Sequence, residues 1–170
     1  FRLSAEQGNL MGQYNLGYLY DYGMGSIENN IEAVKWYQLS AEQGYSDAQY
    51  SLGTMYHHGE GVPQNYQEAI KWYRQSAEQQ NPEGQYHLGL MYDNGLGINE
   101  NNEEAVKWYR LASEQGNSNA QNNLGLMYEY GEGVAQNYPE AFELYKNSAY
   151  QDNTYAKYNL GKMYYEGKGV

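Results

Sequence analysis

The chain contains no cysteine among its 170 residues. Disulfides, thiolate zinc ligands and cysteine nucleophiles are therefore excluded. Cationic residues are also few, because 10 Lys and Arg stand against 21 Asp and Glu, which gives a formal net charge of −11. A chain without excess cations is poorly suited to phosphate backbones or anionic lipids, so we expect neither nucleic acid nor a membrane surface as partner. No run approaches the roughly 18 apolar residues that a membrane-spanning helix needs.

Phenylalanine is also scarce, with 2 residues, whereas tyrosine occurs 22 times and glycine 20 times. This imbalance reflects an internal repeat. All 20 glycines fall at only five positions of a 36-residue frame. Gly23 and Gly25 occupy two of these five positions in the first copy. Such regularity indicates a repeat architecture. The Leu-Gly pair of the frame recurs as Leu16-Gly17, Leu52-Gly53, Leu88-Gly89, Leu124-Gly125 and Leu160-Gly161.

Each repeat is predicted to form two helices. In the second full copy, Ala48, Leu52, Met55 and Tyr56 have the spacing of one buried helix face, and Gly59 interrupts this pattern. Ala69, Trp72, Tyr73 and Ala77 have the same spacing in the segment that follows, which predicts a second helix. Because Gly53 and its equivalents carry no side chain, we expect the paired helix to approach closely there.

Asparagines mark the predicted helix starts. Asn65 lies three residues before Glu68, so its side chain is placed to accept a hydrogen bond from the third helical N–H. The pattern recurs at Asn29/Glu32, Asn101/Glu104 and Asn137/Glu140, and Asn9, Asn81, Asn117 and Asn153 precede the first helices. Gly8, Gly44 and Gly116 suit the left-handed residue that ends a helix, and Gln80 and Asp152 replace glycine in the other two copies.

Residues 48–80 contain LGTMYHHGEGV, NYQEAIKWY and SAEQ. This combination resembles the Sel1-like repeat, a relative of the tetratricopeptide repeat, and the resemblance extends over essentially the whole chain. It implies an all-α fold, an α/α solenoid of antiparallel helix pairs wound as a right-handed superhelix. It also implies a non-catalytic adaptor or scaffold for protein complexes. Family members are often bacterial, and periplasmic, secreted and cytoplasmic locations are all compatible with the absence of cysteine.

The frame predicts one repeat array over residues 1–170. Neither end has the polar cap that a solenoid end needs, so we expect an excerpt of a longer array, or ends that a neighbouring molecule covers. Residues 1–8 are expected to end a preceding repeat, 9–44, 45–80, 81–116 and 117–152 to be full repeats, and 153–170 to be a partial one.

In the tetratricopeptide arrangement, the first helix of each repeat lines a concave groove. The expected groove positions vary between copies while the core frame stays constant, as a binding surface would. Their aromatic, amide-rich and mildly acidic character predicts an extended peptide or helix, neutral to basic, as partner. The candidates are Tyr14, Asn15, Tyr18, Asp21, Tyr22, Tyr50, Thr54, His57, His58, Tyr86, His87, Leu90, Asp93, Asn94, Asn122, Asn123, Leu126, Glu129 and Tyr130. Ser51, Tyr158, Asn159, Lys162 and Tyr165 continue the same stripe.

Other interpretations remain open for some of these residues. Tyr14, Tyr50, Tyr86 and Tyr158 share one register, which is equally compatible with a packing role. His57 and His58 with Glu60 suggest a metal site, to which His87 of the next copy is a further candidate. However, adjacent helical residues point about 100° apart and cannot easily share one ion.

The sequence favours a binding module over an enzyme. No Ser, His and Asp recur in a triad-like arrangement, and the Gly-x-Gly loops recur in every copy as turns rather than as a phosphate-binding loop. We therefore expect no catalytic residue, no cofactor and no metal. Two alternatives differ in kind. One is a β-lactamase-like hydrolase, suggested by cysteine-rich relatives whose cysteine pairs this chain lacks. The other is a structural array that self-associates end to end through uncapped termini.

Overall fold

The computed structural model describes residues 2–24 and 29–169, and within them it contains ten helices and no strand. Gly25, which the repeat frame places in a turn, lies outside the described residues. We call α2, α4, α6, α8 and α10 the first helices, and α3, α5, α7 and α9 the second helices. The helices are α1 (Arg2–Glu6), α2 (Leu10–Asp21), α3 (Asn30–Glu42), α4 (Ser46–His58), α5 (Tyr66–Glu78), α6 (Pro82–Asn94), α7 (Asn102–Glu114), α8 (Ser118–Tyr130), α9 (Tyr138–Tyr150) and α10 (Thr154–Glu166).

The chain forms two compact units, one up to Gly84 and one from Gln85 onward. In the first unit, consecutive helices from α1 to α5 pack on one another, and in the second unit those from α7 to α10 do so. This is the predicted all-α fold of helix pairs. None of the helices in the described residues combines the length and apolar character that crossing a membrane requires.

The core of the first unit lies between α3, α4 and α5. It contains Tyr37, Leu52, Met55 and Trp72, with small residues such as Ala48 between them. The second unit repeats the same frame. Its buried residues include two clusters, one of Ala105, Val106, Tyr109, Ala112, Ala120, Leu124, Met127 and Leu144, and one of Ala141, Tyr145 and Met163.

The predicted close approach of paired helices is confirmed. A Cβ on Gly17 would lie 2.7 Å from Cδ1 of Tyr37, and a Cβ on Gly53 would lie 2.7 Å from Cδ1 of Tyr73. Gly89 meets Tyr109, and Gly125 meets Tyr145, at the same separation. Each pair of helices therefore packs a buried tyrosine ring directly on the backbone of a glycine.

The predicted helix boundaries are also confirmed. The side chain of Asn29 accepts a hydrogen bond from the backbone N–H of Glu32, and Asn9 caps the preceding first helix through Gly12. The equivalent asparagines Asn65, Asn81, Asn101, Asn117, Asn137 and Asn153 accept in the same way. Gly8, Gly44 and Gly116 have φ values of 85°, 90° and 86°, whereas Gln80 and Asp152 hold 63° and 64° despite their side chains.

Candidate functional site

A cleft of about 490 Å³ opens on the first-helix side of the first unit. It collects six residues of the predicted stripe, which come from the end of α2 and from α4. The lining also includes three residues that the stripe does not contain. The predicted residues are Asp21, Tyr22, Tyr50, Ser51, Thr54 and His58, and the additional ones are Asn30, Met55 and Glu60.

The turn after α4 explains how Asn30 and Glu60 reach this cleft. Gly61, with a φ of 71°, lies so close to the backbone carbonyl of Asn30 that a Cβ would not fit. The glycine therefore lets the turn of one repeat contact the first turn of α3 in the repeat before it. This contact brings Glu60, its neighbour in the chain, to the rim of the cleft.

Asp21 connects the cleft to the core. Its Oδ2 accepts a hydrogen bond of 3.0 Å from the hydroxyl of Tyr37, which is buried beneath the helix pair. Burial, followed by the charge of Asp21, raises the pKa of Tyr37 and keeps its hydroxyl protonated as a donor. The next residue, Tyr22, is 62% exposed and its ring lies 4.4 Å from that of Tyr18.

The tyrosines that share one register have a packing role in the first three copies, where each packs on the buried tyrosine of the following second helix. The ring centroid of Tyr14 lies 5.8 Å from that of Tyr37, and Tyr50 stacks at 6.2 Å on Tyr73. Burial raises the pKa of both Tyr14 and Tyr50. Tyr50 combines this packing with a place in the cleft, whereas Tyr14 and the half-buried Asn15 do not line it.

The two adjacent histidines have different surroundings. His57 is half-buried, its ring lies 5.4 Å from that of Tyr66, and its Nδ1 has no hydrogen-bond partner among the described residues. Burial, and secondarily the neighbouring His58, lowers the pKa of His57. His58 is exposed and lines the cleft. Within the part of the chain that the structure describes, no three His, Asp or Glu side chains are grouped to hold a metal ion.

A second cleft, of about 480 Å³, lies in the second unit. It is lined by asparagines and tyrosines rather than by acids. Asn122 accepts a hydrogen bond of 3.0 Å from Asn159, and Asn123 donates one of 3.3 Å to the hydroxyl of Tyr109. Its predicted members are Tyr86, Asn122, Asn123, Leu126, Tyr158 and Asn159, and its additional members are Asn119 and Tyr155.

Four further stripe residues in α6 lie outside this second cleft. Asp93 accepts a hydrogen bond of 2.9 Å from Tyr109, and burial raises the pKa of Asp93. The side chain of Asn94 donates to the backbone oxygen of Leu90, which packs against the core of the second unit. The ring of His87 lies 5.1 Å from that of Tyr86.

Glu129 is almost completely buried, with 1% of its surface exposed. Its Oε2 accepts a hydrogen bond of 2.8 Å from Tyr145, and its Oε1 lies 2.9 Å from Nζ of Lys162. The same ammonium donates to the hydroxyl of Tyr130 at 3.0 Å and lies 5.4 Å from the centre of that ring. These contacts, with the Tyr130 hydrogen bond foremost, raise the pKa of Lys162.

The recurring bond between a buried tyrosine and an acid was not predicted from the sequence. Asp21, Asp93 and Glu129 each accept from the tyrosine 16 residues later in the chain. The spacing is visible in the sequence, but only the helix pairing shows that the groups meet. Asn119 and Tyr155 lie three residues before the stripe residues Asn122 and Tyr158, so helical spacing alone would have added them to the predicted stripe.

Comparison with known proteins matches this fold to one repeat family. The Sel1 repeat model matches residues 10–45, 46–81, 82–117, 118–153 and 154–170. The solved structure of c5321, a protective antigen of uropathogenic Escherichia coli with an SLR fold, is 41% identical, with a TM-score of 0.94 over 99% of this chain and 36% of that one. A Sel1 repeat protein of Oxalobacter formigenes is 37% identical, with a TM-score of 0.90 over 96% of this chain and 65% of that one.

The chain thus spans about a third of the length of the first of these relatives and under two thirds of the second. Helicobacter pylori cysteine rich protein B, 20% identical with a TM-score of 0.60 over 76% of this chain and 92% of that one, shares the fold alone. No curated protein matches the chain.

Proposed function

The chain belongs to the Sel1 repeat family, and on that premise we propose that it binds a peptide or protein segment on the surface formed by its first helices. Sel1 repeat proteins are generally protein-interaction scaffolds, and their fold is usually non-catalytic. What we propose for this chain is the kind of segment that it binds and the place of that segment on the first helices.

The observation that carries this proposal is the convergence of stripe residues on clefts. In the first unit, Asp21, Tyr22 and Thr54 line one cavity with other stripe residues, and in the second unit, Tyr86, Asn122 and Leu126 line another. The glycines and tyrosines beneath them repeat from copy to copy, whereas the lining residues change. A constant framework with a variable surface supports a recognition role.

The chemistry of these surfaces favours a neutral to basic segment. Exposed tyrosines such as Tyr22 and Tyr130 provide large rigid contacts at small entropic loss, and asparagines provide adaptable hydrogen bonds. The net charge of −11 repels acidic partners and attracts basic ones.

A random-peptide phage library selected on the immobilised chain tests the proposal. The enriched peptides are synthesised with a fluorophore, and their affinities are measured by anisotropy. The double variant Tyr22→Ala, Tyr130→Ala is expected to weaken binding by roughly tenfold or more, since exposed aromatic residues are common binding hot spots.

The matched control is the double variant Leu39→Ala, Tyr150→Ala. It removes one exposed apolar side chain from a second helix in each unit. The control is expected to bind like the wild type. If the two double variants lose affinity equally, or if only the control does, the first helices are not the binding surface.

A further inference from the structure

Two repeats carry an acidic residue followed by a tyrosine at the end of their first helix. Asp21 and Tyr22 occupy the frame positions of Glu129 and Tyr130. In both cases the acid accepts a hydrogen bond from a buried tyrosine of the following second helix, Tyr37 in one repeat and Tyr145 in the other.

In the second unit, a lysine of the chain itself binds to this pair. The ammonium of Lys162 contacts the Glu129 carboxylate at 2.9 Å and the Tyr130 hydroxyl at 3.0 Å, and it lies over the ring of Tyr130. Glu129 is thereby bonded through both oxygens, one to a neutral hydroxyl and one to a cation. The acid–tyrosine pair is therefore an ammonium-binding arrangement, with a charge-assisted hydrogen bond and a cation–π contact.

In the first unit, the residue at the frame position of Lys162 is Thr54. Its short side chain carries no charge, and its hydroxyl donates to the backbone oxygen of Tyr50 at 3.2 Å. The 490 Å³ cleft lies beside Asp21, Tyr22 and Thr54. Its described lining contains neither lysine nor arginine, while Glu60 adds a second acid.

We propose that this cleft binds the ammonium group of a lysine side chain from a protein partner. The inference rests on the proposed function and specifies its ligand. The ammonium contacts the carboxylate of Asp21 and the ring of Tyr22, in the way Lys162 contacts Glu129 and Tyr130. The aliphatic stem lies along Tyr50 and Met55, which supply the apolar part of the lining.

A blocked tripeptide, acetyl-Gly-Lys-Gly-amide, is the probe for this site. It is titrated into the ¹⁵N-labelled chain, and backbone amide shifts are followed by NMR. We expect saturable shifts at Tyr22 and Thr54. The same tripeptide with norleucine in place of lysine keeps the stem without the charge, and it is expected to bind about tenfold more weakly. Equal responses to both peptides overturn the proposal.

An arginine tripeptide distinguishes between the two cationic side chains. In the second unit, the equivalent arrangement holds the compact ammonium of Lys162. Because a planar guanidinium is larger, the arginine tripeptide is expected to bind more weakly than the lysine tripeptide. Equal or tighter binding of the arginine tripeptide overturns the assignment to lysine.

The decisive variant is Asp21→Asn. It removes the charge but keeps a side-chain oxygen as acceptor for the Tyr37 hydroxyl, and it is expected to weaken lysine binding about tenfold. The matched control is Asp93→Asn, because Asp93 also accepts from a buried tyrosine but does not line the cleft. Unchanged binding by Asp21→Asn, or an equal loss in Asp93→Asn, overturns the proposal.

A second variant, Thr54→Lys, reproduces the arrangement of the second unit in the first. The new ammonium is expected to occupy the site and abolish the lysine-specific shift at Tyr22. It also removes the acceptor for the long 3.4 Å hydrogen bond of Tyr73, so circular dichroism accompanies it. A folded Thr54→Lys chain that binds the tripeptide as well as the wild type contradicts the proposal.

The peptides from the phage selection separate this inference from the proposed function. If binding depends on Tyr22 but persists when each lysine becomes norleucine, the lysine site is wrong and the proposed function stands. If the tripeptide binds at the cleft while no selected peptide depends on Tyr22 or Tyr130, the proposed function is wrong and the assignment to a protein partner falls with it.

Discussion

The ring of Tyr73 lies directly against the backbone of Gly53, where a Cβ would be only 2.7 Å from Cδ1 of the ring. The same contact joins Gly17 to Tyr37, and it recurs twice in the second unit. The first and second helix of a repeat approach through this contact. At Gly17, Gly89 and Gly125, the hydroxyl of the same tyrosine bonds to an acid four residues after the glycine. In these three repeats, the glycine contact therefore determines where the acid of the first helix meets the buried tyrosine.

Adding one methyl group at this contact tests its role in stability. Gly53→Ala is expected to lower the free energy of unfolding by about 1–3 kcal/mol, because the added Cβ would force the fully buried Tyr73 ring or the helix backbone to shift. Urea unfolding followed by circular dichroism measures the change.

The control for this substitution is Gly161→Ala. Gly161 occupies the same frame position in α10, but a Cβ there would have no neighbour within 4 Å among the described residues. Since alanine favours helix more than glycine, this variant is expected to gain about 0.5–1 kcal/mol. Destabilisation of the same size at both sites would show that ring contact is not the cause.

The left-handed backbone conformation of Gln80 makes this position suitable for a stabilising substitution. Its φ of 63° is strained for a residue with a Cβ, and Gly44 holds the equivalent position with 90°. Gln80→Gly is expected to raise the free energy of unfolding by about 0.5–1.5 kcal/mol. The reverse change, Gly44→Gln, is expected to lower it by a similar amount, and thermal unfolding of both variants checks the sign. Loss of stability in Gln80→Gly would contradict this account.

Lys162 is expected to stabilise the second unit. Replacing it by methionine removes the cation at Oε1 of the buried Glu129 carboxylate and keeps the Tyr145 hydroxyl at Oε2. Because the Lys162 side chain is 30% exposed and water can partly replace it, we expect a loss of about 1–3 kcal/mol. Lys157→Met is the control, since its pair with Asp152 lies in solvent. Equal urea midpoints for Lys162→Met and wild type would refute this role.

Alkaline pH is expected to destabilise the fold. Burial raises the pKa values of Tyr37, Tyr73, Tyr109 and Tyr145 above the value of about 10 for an unfolded chain. Below that pH both states are protonated and the stabilising contribution is complete. Above it the unfolded state releases protons that the folded state retains, so stability falls by up to about 1.4 kcal/mol per pH unit for each tyrosine.

Urea unfolding between about pH 8 and pH 11 measures this dependence. Tyrosinate absorbance recorded in parallel is expected to rise in two stages, with the buried tyrosines ionising only as the chain unfolds. A urea midpoint that does not fall over this range would contradict the burial of the four hydroxyls in a protonated state.

The sequence was sufficient to predict the helix pairs and their ends. The interval between Leu16-Gly17 and Leu52-Gly53 predicted the repeat, and Asn65 marked a cap that the structure confirms. These features are local, because a cap or a turn depends on residues only a few positions apart. The close packing on Gly53 was also predictable, since glycine recurs within an otherwise regular helix.

The arrangement of side chains on the first helices was predicted less completely. The pattern grouped Asp21 and Glu129 as surface residues, yet both are bonded to a buried hydroxyl. The sequence did not predict that Asn30 and Glu60 line the cleft. They meet there only because the turn after α4 contacts the preceding repeat. The different environments of Thr54 and Lys162 likewise depend on neighbours in other helices, which a repeat frame alone does not reveal.

Chemical-shift mapping of a selected peptide on the ¹⁵N-labelled chain tests most directly whether the first helices bind a protein segment. The largest shifts are expected at the amides of Tyr22, Tyr50, Thr54 and His58, and the double variant Tyr22→Ala, Tyr130→Ala is expected to reduce them. Shifts confined to second helices, for example around Lys35 and Lys71, would contradict this expectation.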